Sequence, residues 1–204
     1  MPVIGLASRG TNVMREVGWT AVPATFGLVT MVAALGLGAV GATHGFAEQA
    51  THFLFTKPRS RLYFVWVGWL VGCMEVLNIA AVSALTSWAT LAVYGIRPFR
   101  APLFGSIEEW NMVEMLLFGL FVYALTYSLT AILRNGLKGL GGSMGILTAI
   151  NAFGVLMRVR WNIHLPIPVQ KIGSLPLAAS YIVWMSIALL FVYAAQVAMQ
   201  RAEI

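Results

Sequence analysis

The sequence predicts an all-α protein, a polytopic transmembrane bundle of about five spans with one short amphipathic helix between the first two. Three observations lead there. Hydrophobic residues make up 59% of the 204 and charged residues only 10%, whereas a soluble domain is usually about a quarter charged. Mean hydropathy is +0.82. Five apolar runs reach or exceed about the length, roughly 20 residues, that crosses about 30 Å of hydrocarbon. A soluble enzyme, a disordered tail and a nucleic-acid-binding domain all need more polar surface than this chain has. The net charge of +6, from 13 Lys and Arg against 7 acids, suits lipid headgroups better than a polyanion groove.

The five runs extend from Trp19 to Ala42, Tyr63 to Tyr94, Trp110 to Leu133, Leu140 to Met157 and Leu177 to Met199. The first is too long for a signal-peptide core and is expected to be retained. The second exceeds what a bilayer needs, so it tilts or continues past the interface, and Gly95 and Pro98 supply its stop. Trp19, Tyr63, Trp66, Trp69, Trp110, Trp161 and Tyr181 lie near run ends, where amphipathic rings anchor among headgroups. Pro166, Pro168, Gly173 and Pro176 exclude a straight helix between the last two runs and point to a short or re-entrant segment. The connections are short, so residues 1–204 form one membrane domain, with an N-terminal segment at 1–18, a charged connection at 43–62 and a Pro-rich loop at 158–176.

Polar residues inside the runs are the first functional candidates. Glu75 lies near mid-depth of the second run, with Asn78 one turn further on the same face. A carboxylate at that depth costs about 2.5–3.5 kcal/mol on insertion scales, so it faces protein or water, or is protonated. The pair is suited to contacting substrate, relaying a proton or joining helices, and Gln196 in the fifth run is a candidate partner. Glycines recur at four-residue spacing in Gly41 with Gly45, Gly68 with Gly72 and Gly141 with Gly145, which lets helix backbones approach. Between the first two runs, Phe53-Leu54-Phe55-Thr56-Lys57-Pro58-Arg59-Ser60-Arg61 sets three cations within five residues around a proline, with Glu48 upstream. Such a segment attracts phosphate headgroups, and its apolar start predicts a short helix lying flat and offering a surface to a partner.

Other chemistries lack their residues. The glycine-rich stretches at 36–45 and 136–145 have no Lys-Ser or Lys-Thr after the final glycine, so this chain has no P-loop. All seven acids are Glu, so no Ser-His-Asp set is possible. Cys73 is the single cysteine, which excludes an internal disulfide and leaves zinc poorly supplied. His44, His52 and His164 fall in connections rather than at matched depth in spans, which does not favour bis-His haem ligation. Counting cations by side gives six (Lys57, Arg59, Arg61, Arg134, Lys138, Arg201) against seven, so charge bias sets no orientation.

Three stretches resemble the membrane subunit of a type-two ATP-binding-cassette exporter. Phe53 to Arg61 followed by Tyr63 to Gly72 looks like that family's cytoplasmic connection and the long span after it. Leu125 to Asn135, ending Leu133-Arg134-Asn135, is similar to the family's fourth span with its short basic turn. The tail Val197 to Ile204, finishing Gln200-Arg201-Ala202-Glu203-Ile204, is similar to the basic-then-acidic end after the last span. The likeness covers about Thr25 to the C-terminus. Six spans are the family norm and five are read here, so either Met1 is a late start or Met1 to Glu16 is a remnant of the first span and its amphipathic helix.

The resemblance implies a multi-pass permease of the inner (plasma) membrane. It has no catalytic site, metal or cofactor of its own, and ATP and magnesium sit on a separate ATPase subunit. Glu48, Phe53, Lys57, Pro58, Arg59 and Arg61 would form the cytoplasmic coupling helix against that subunit. A homodimer or heterodimer with a second permease would enclose the substrate path within membrane lipid, with no nucleic acid involved. The loops around Lys57 and Lys138 and the tail would be cytoplasmic, and those around Pro98 and Pro166 external. The alternative expectation is a membrane anchor of a redox complex, binding haem or quinone.

Overall fold

The computed structural model describes residues 25–42, 61–93, 112–161 and 177–201. They form five α-helices: α1, Thr25–Ala42; α2, Arg61–Val93; α3, Met112–Leu133; α4, Gly136–Trp161; and α5, Leu177–Arg201. α1, α2 and α3 each contain a stretch long and apolar enough to cross a membrane, and α5 contains a shorter one, Met185–Ala198. The chain is a helical membrane protein on that length and composition. The fourth run departs from expectation, because its helix starts at Gly136 and not at Leu140, so Lys138 lies in the first helical turn. Its glycines, Asn151 and basic end also make it the most polar of the five.

α3 is the axis of the bundle. It packs against α2, α4 and α5, and α1 lies against it through Gly38 beside Thr126 and Gly27 beside Met115. Phe121 through Ser128 are all buried, along with Thr130 and Ala131. A helix covered on every side carries no amphipathic stripe, and α3 accordingly reads as apolar all round. Its hydroxyls are accommodated locally in part, since Thr126 Oγ1 donates to the Val122 carbonyl at 2.9 Å.

The neighbours present small residues to this axis. On α1 the buried positions are Phe26, Thr30, Ala34, Gly38 and Ala42, an unbroken four-residue ridge that lets α1 approach closely. Thr30 Oγ1 donates back to the Phe26 carbonyl at 2.8 Å, so that ridge buries no unmet hydroxyl at Thr30. α5 contributes Ala188, Val192 and Ala195, and Phe191 of α5 meets Phe121 with ring centroids 5.9 Å apart. Lipid offers helices little hydrophobic reason to associate, so close backbone approach and dispersion hold such a bundle together.

α3 and α4 make a tight helical hairpin with two residues between them. Arg134 adopts φ 52, the left-handed conformation that reverses the chain after a helix. Asn135 then caps α4, its Oδ1 accepting from the Lys138 backbone N–H at 3.0 Å, while its carbonyl accepts from Gly139 N–H at 2.9 Å. Gly139 is required at the crossing, because a Cβ there would lie 2.6 Å from the Thr130 Cα.

Candidate functional site: the two faces of α2

α2 is a continuous helix of 33 residues, about 50 Å long at 1.5 Å per residue and longer than a bilayer with its headgroups. Its sequence interior is free of proline and its glycines sit where packing needs them. One face is fastened to the bundle. Val65, Trp69, Val76 and Ala80 are buried, and two tyrosines of α3 reach across to the α2 backbone. Tyr127 donates its hydroxyl to the Val65 carbonyl at 3.0 Å. Tyr123 lies 3.4 Å from the Gly68 carbonyl and 3.3 Å from that of Trp69, donating to this pair. A helical carbonyl has a second lone pair free for such a bond.

The glycine pair explains how the tyrosines fit. A Cβ at Gly68 would come within 2.8 Å of the Tyr127 oxygen, and one at Gly72 would overlap the Tyr123 hydroxyl. The four-residue spacing therefore does mark close packing, but of phenol rings rather than of a second backbone. Gly141 and Gly145 differ, with no atom within 4 Å of a Cβ at either among the described residues. Gly41 has the two tyrosines at ordinary contact, near 3.9 Å, and Gly45 lies outside the described residues.

Trp69 corrects the expectation of a headgroup anchor. Trp69 is buried in the core, edge-on to Trp66 at 5.8 Å and 87°. Trp66 is half-buried and donates its indole N–H to the Gln196 side-chain oxygen of α5 at 2.7 Å. That bond also corrects the pairing expected for Gln196, which serves Trp66 and not Glu75 or Asn78. The tryptophan indole has a single N–H; that of Trp66 is met by Gln196, whereas that of Trp69 finds no partner among the described residues, so packing places its ring. Position near a run end therefore does not by itself place a tryptophan at the headgroups.

The opposite face of α2 carries Glu75 and Asn78, both exposed and neither hydrogen-bonded to another described residue. Their neighbours Val71, Met74, Leu77 and Val82 are exposed as well. An acid and an amide near the middle of a spanning helix are thus left exposed by the described helices, Glu75 still within electrostatic reach of the Tyr123 hydroxyl, and such a placement requires a polar companion or water. Of the expected coupling residues, Arg61 is the first residue of α2, and Glu48, Phe53, Lys57, Pro58 and Arg59 lie outside the described residues. So do His44, His52 and His164. Among the described residues, no three His, Cys or Glu side chains gather as a metal site.

Sequence reasoning missed the tyrosine ties and the Trp66–Gln196 bond. Tyr123 and Tyr127 were legible as two hydroxyls on one face of a very apolar helix, a pattern that in lipid calls for acceptors nearby. Comparison with protein families, with characterised proteins and with solved structures finds no match.

Proposed function

We propose that this chain is the membrane-spanning subunit of an ATP-binding-cassette exporter in the inner (plasma) membrane. It lines a substrate path together with a second permease and takes its driving force from a separate ATPase subunit. The observation that carries this reading is that the Phe53 to Arg61 segment immediately precedes, in sequence, a helix hydrogen-bonded to two others near its start. Within three turns of Arg61, α2 is bonded to α3 at Val65, Gly68 and Trp69 and to α5 through Trp66. A displacement applied at the start of α2 therefore passes to two further helices, as coupling between an ATPase and a translocation path requires. Lys57, Arg59 and Arg61 supply charge for a partner or for lipid phosphates.

The test uses the full chain in its native membranes. Affinity purification in mild detergent retains an ATP-hydrolysing subunit, and Arg59→Glu with Arg61→Glu lowers that hydrolysis or releases the subunit while alkaline extraction still finds the chain in the membrane. A preparation with no associated ATPase, or one indifferent to the double reversal, refutes the proposal. A strong Soret band in the same preparation would support the redox-anchor class instead.

A further inference from the structure

The outward face of α2 is ordered in a way that its function as a lever leaves unexplained. Val71, Glu75, Asn78, Val82, Leu85 and Ala89 are all exposed, and their spacing of four, three, four, three and four is a heptad seam. The seam covers about 27 Å of helix at 1.5 Å per residue, from within the apolar stretch Val65–Ser87 to just past its end. Val71 is 53% exposed, Val82 61% and Leu85 63%, so no described helix covers it. In its first half sit the acid and the amide. Hydrocarbon satisfies neither, whereas a facing helix with polar groups at the same depth satisfies both.

We infer that this seam is the contact with a second copy of the chain, made about a two-fold axis along the membrane normal. Copies of one chain insert with the same orientation, so each brings its own Glu75 and Asn78 to the same depth. A different partner would need an independently matched polar pair. The chemistry is also self-complementary: carboxyl oxygens accept, the Asn78 amide both donates and accepts, and a two-fold contact lets each side serve the other. Polar residues at adjacent seam positions specify register in such pairs. Burying the seam removes both groups from lipid at once. The inference deepens the proposed function, which calls for two permeases without saying where they meet.

Disulfide trapping of the full chain in native membranes tests it. In a Cys73→Ser background, Val82→Cys is expected to give a covalent homodimer on mild oxidation, and Gly145→Cys on the outer face of α4 to give little. Glu75→Lys is expected to cut the trapped dimer roughly ten-fold, and Glu75→Gln, which keeps hydrogen bonding, to preserve it. Trapping at Gly145 but not at Val82, trapping of Val82 to a different protein, or a chain that stays monomeric at both positions overturns the inference. The trapping needs no ATPase. A Val82 homodimer without an associated ATPase would keep the seam and sink the transporter reading, and an ATPase-coupled chain that fails to trap would do the reverse.

Discussion

The indole N–H of Trp66 on α2 meets the side-chain oxygen of Gln196 on α5 at 2.7 Å, joining helices far apart in the chain through two side chains. Interhelical hydrogen bonds in membranes average about 0.6 kcal/mol and reach about 1.7 kcal/mol. Gln196→Leu and Trp66→Phe are each expected to lower unfolding free energy within that range. Circular-dichroism titration in mixed micelles, with the double variant closing the cycle, measures the bond itself. Additive effects of the two changes would show that the pair is not coupled.

Gly72 faces the Tyr123 hydroxyl with no room for a methyl group. Gly72→Ala therefore forces the ring or the helix to move, at about 1–3 kcal/mol for overpacking. Tyr123→Phe alone gives up its bonds to the Gly68 and Trp69 carbonyls, about 0.5–1.5 kcal/mol. Together the two changes should cost less than their sum, because the shorter ring makes part of the space the methyl needs. The same titration decides it.

Gly139 and Gly145 lie on one helix with opposite surroundings. A Cβ at Gly139 meets the Thr130 Cα at 2.6 Å and its N at 2.7 Å, both backbone atoms, whereas Gly145 has nothing within 4 Å. Gly139→Ala is expected to destabilise by about 1–3 kcal/mol or more, since backbone yields less than a side chain. Gly145→Ala is expected to be neutral or to stabilise by up to about 1 kcal/mol through helix propensity. Midpoints of thermal unfolding in one detergent separate the two.

The Arg134-Asn135 turn predicts a fourth pattern. Arg134 at φ 52 is in a region that β-branched residues tolerate badly, so Arg134→Val destabilises where Arg134→Gly or Arg134→Asn is tolerated. Asn135→Ala removes the acceptor for the Lys138 N–H and costs about 0.5–2 kcal/mol as a lost N-cap. Limited proteolysis at this connection reads both, with faster cleavage expected for Arg134→Val and Asn135→Ala.

Helix positions were legible because hydrocarbon thickness imposes a length on every spanning run, and α1, α2, α3 and α5 fall where apolar length puts them. The start of α4 was not, because a two-residue turn has no room for the polar signal that usually marks a connection. The depth of Glu75 and Asn78 was legible for the same reason as the helices. Their direction was not, since a helix apolar on both faces gives no periodic sign of which side is covered. Trp66 and Trp69 show the converse failure. Half-buried Trp66 and core Trp69 have the same sequence surroundings, and only the packing of α3 and α5 against α2 distinguishes them.

Taken alone, the order of residues determined that this chain is helical, that it belongs in a membrane and that one of its helices carries an acid at depth. Those properties depend on composition and run length, which are local. Tertiary structure decided which helix is the axis, which glycines are compressed and which face of α2 the other described helices leave uncovered. These depend on where distant side chains meet, as Tyr123 and Tyr127 do with the α2 backbone. In lipid that meeting is governed by shape and hydrogen-bond geometry rather than by hydrophobicity, so a pattern of apolar letters does not encode it.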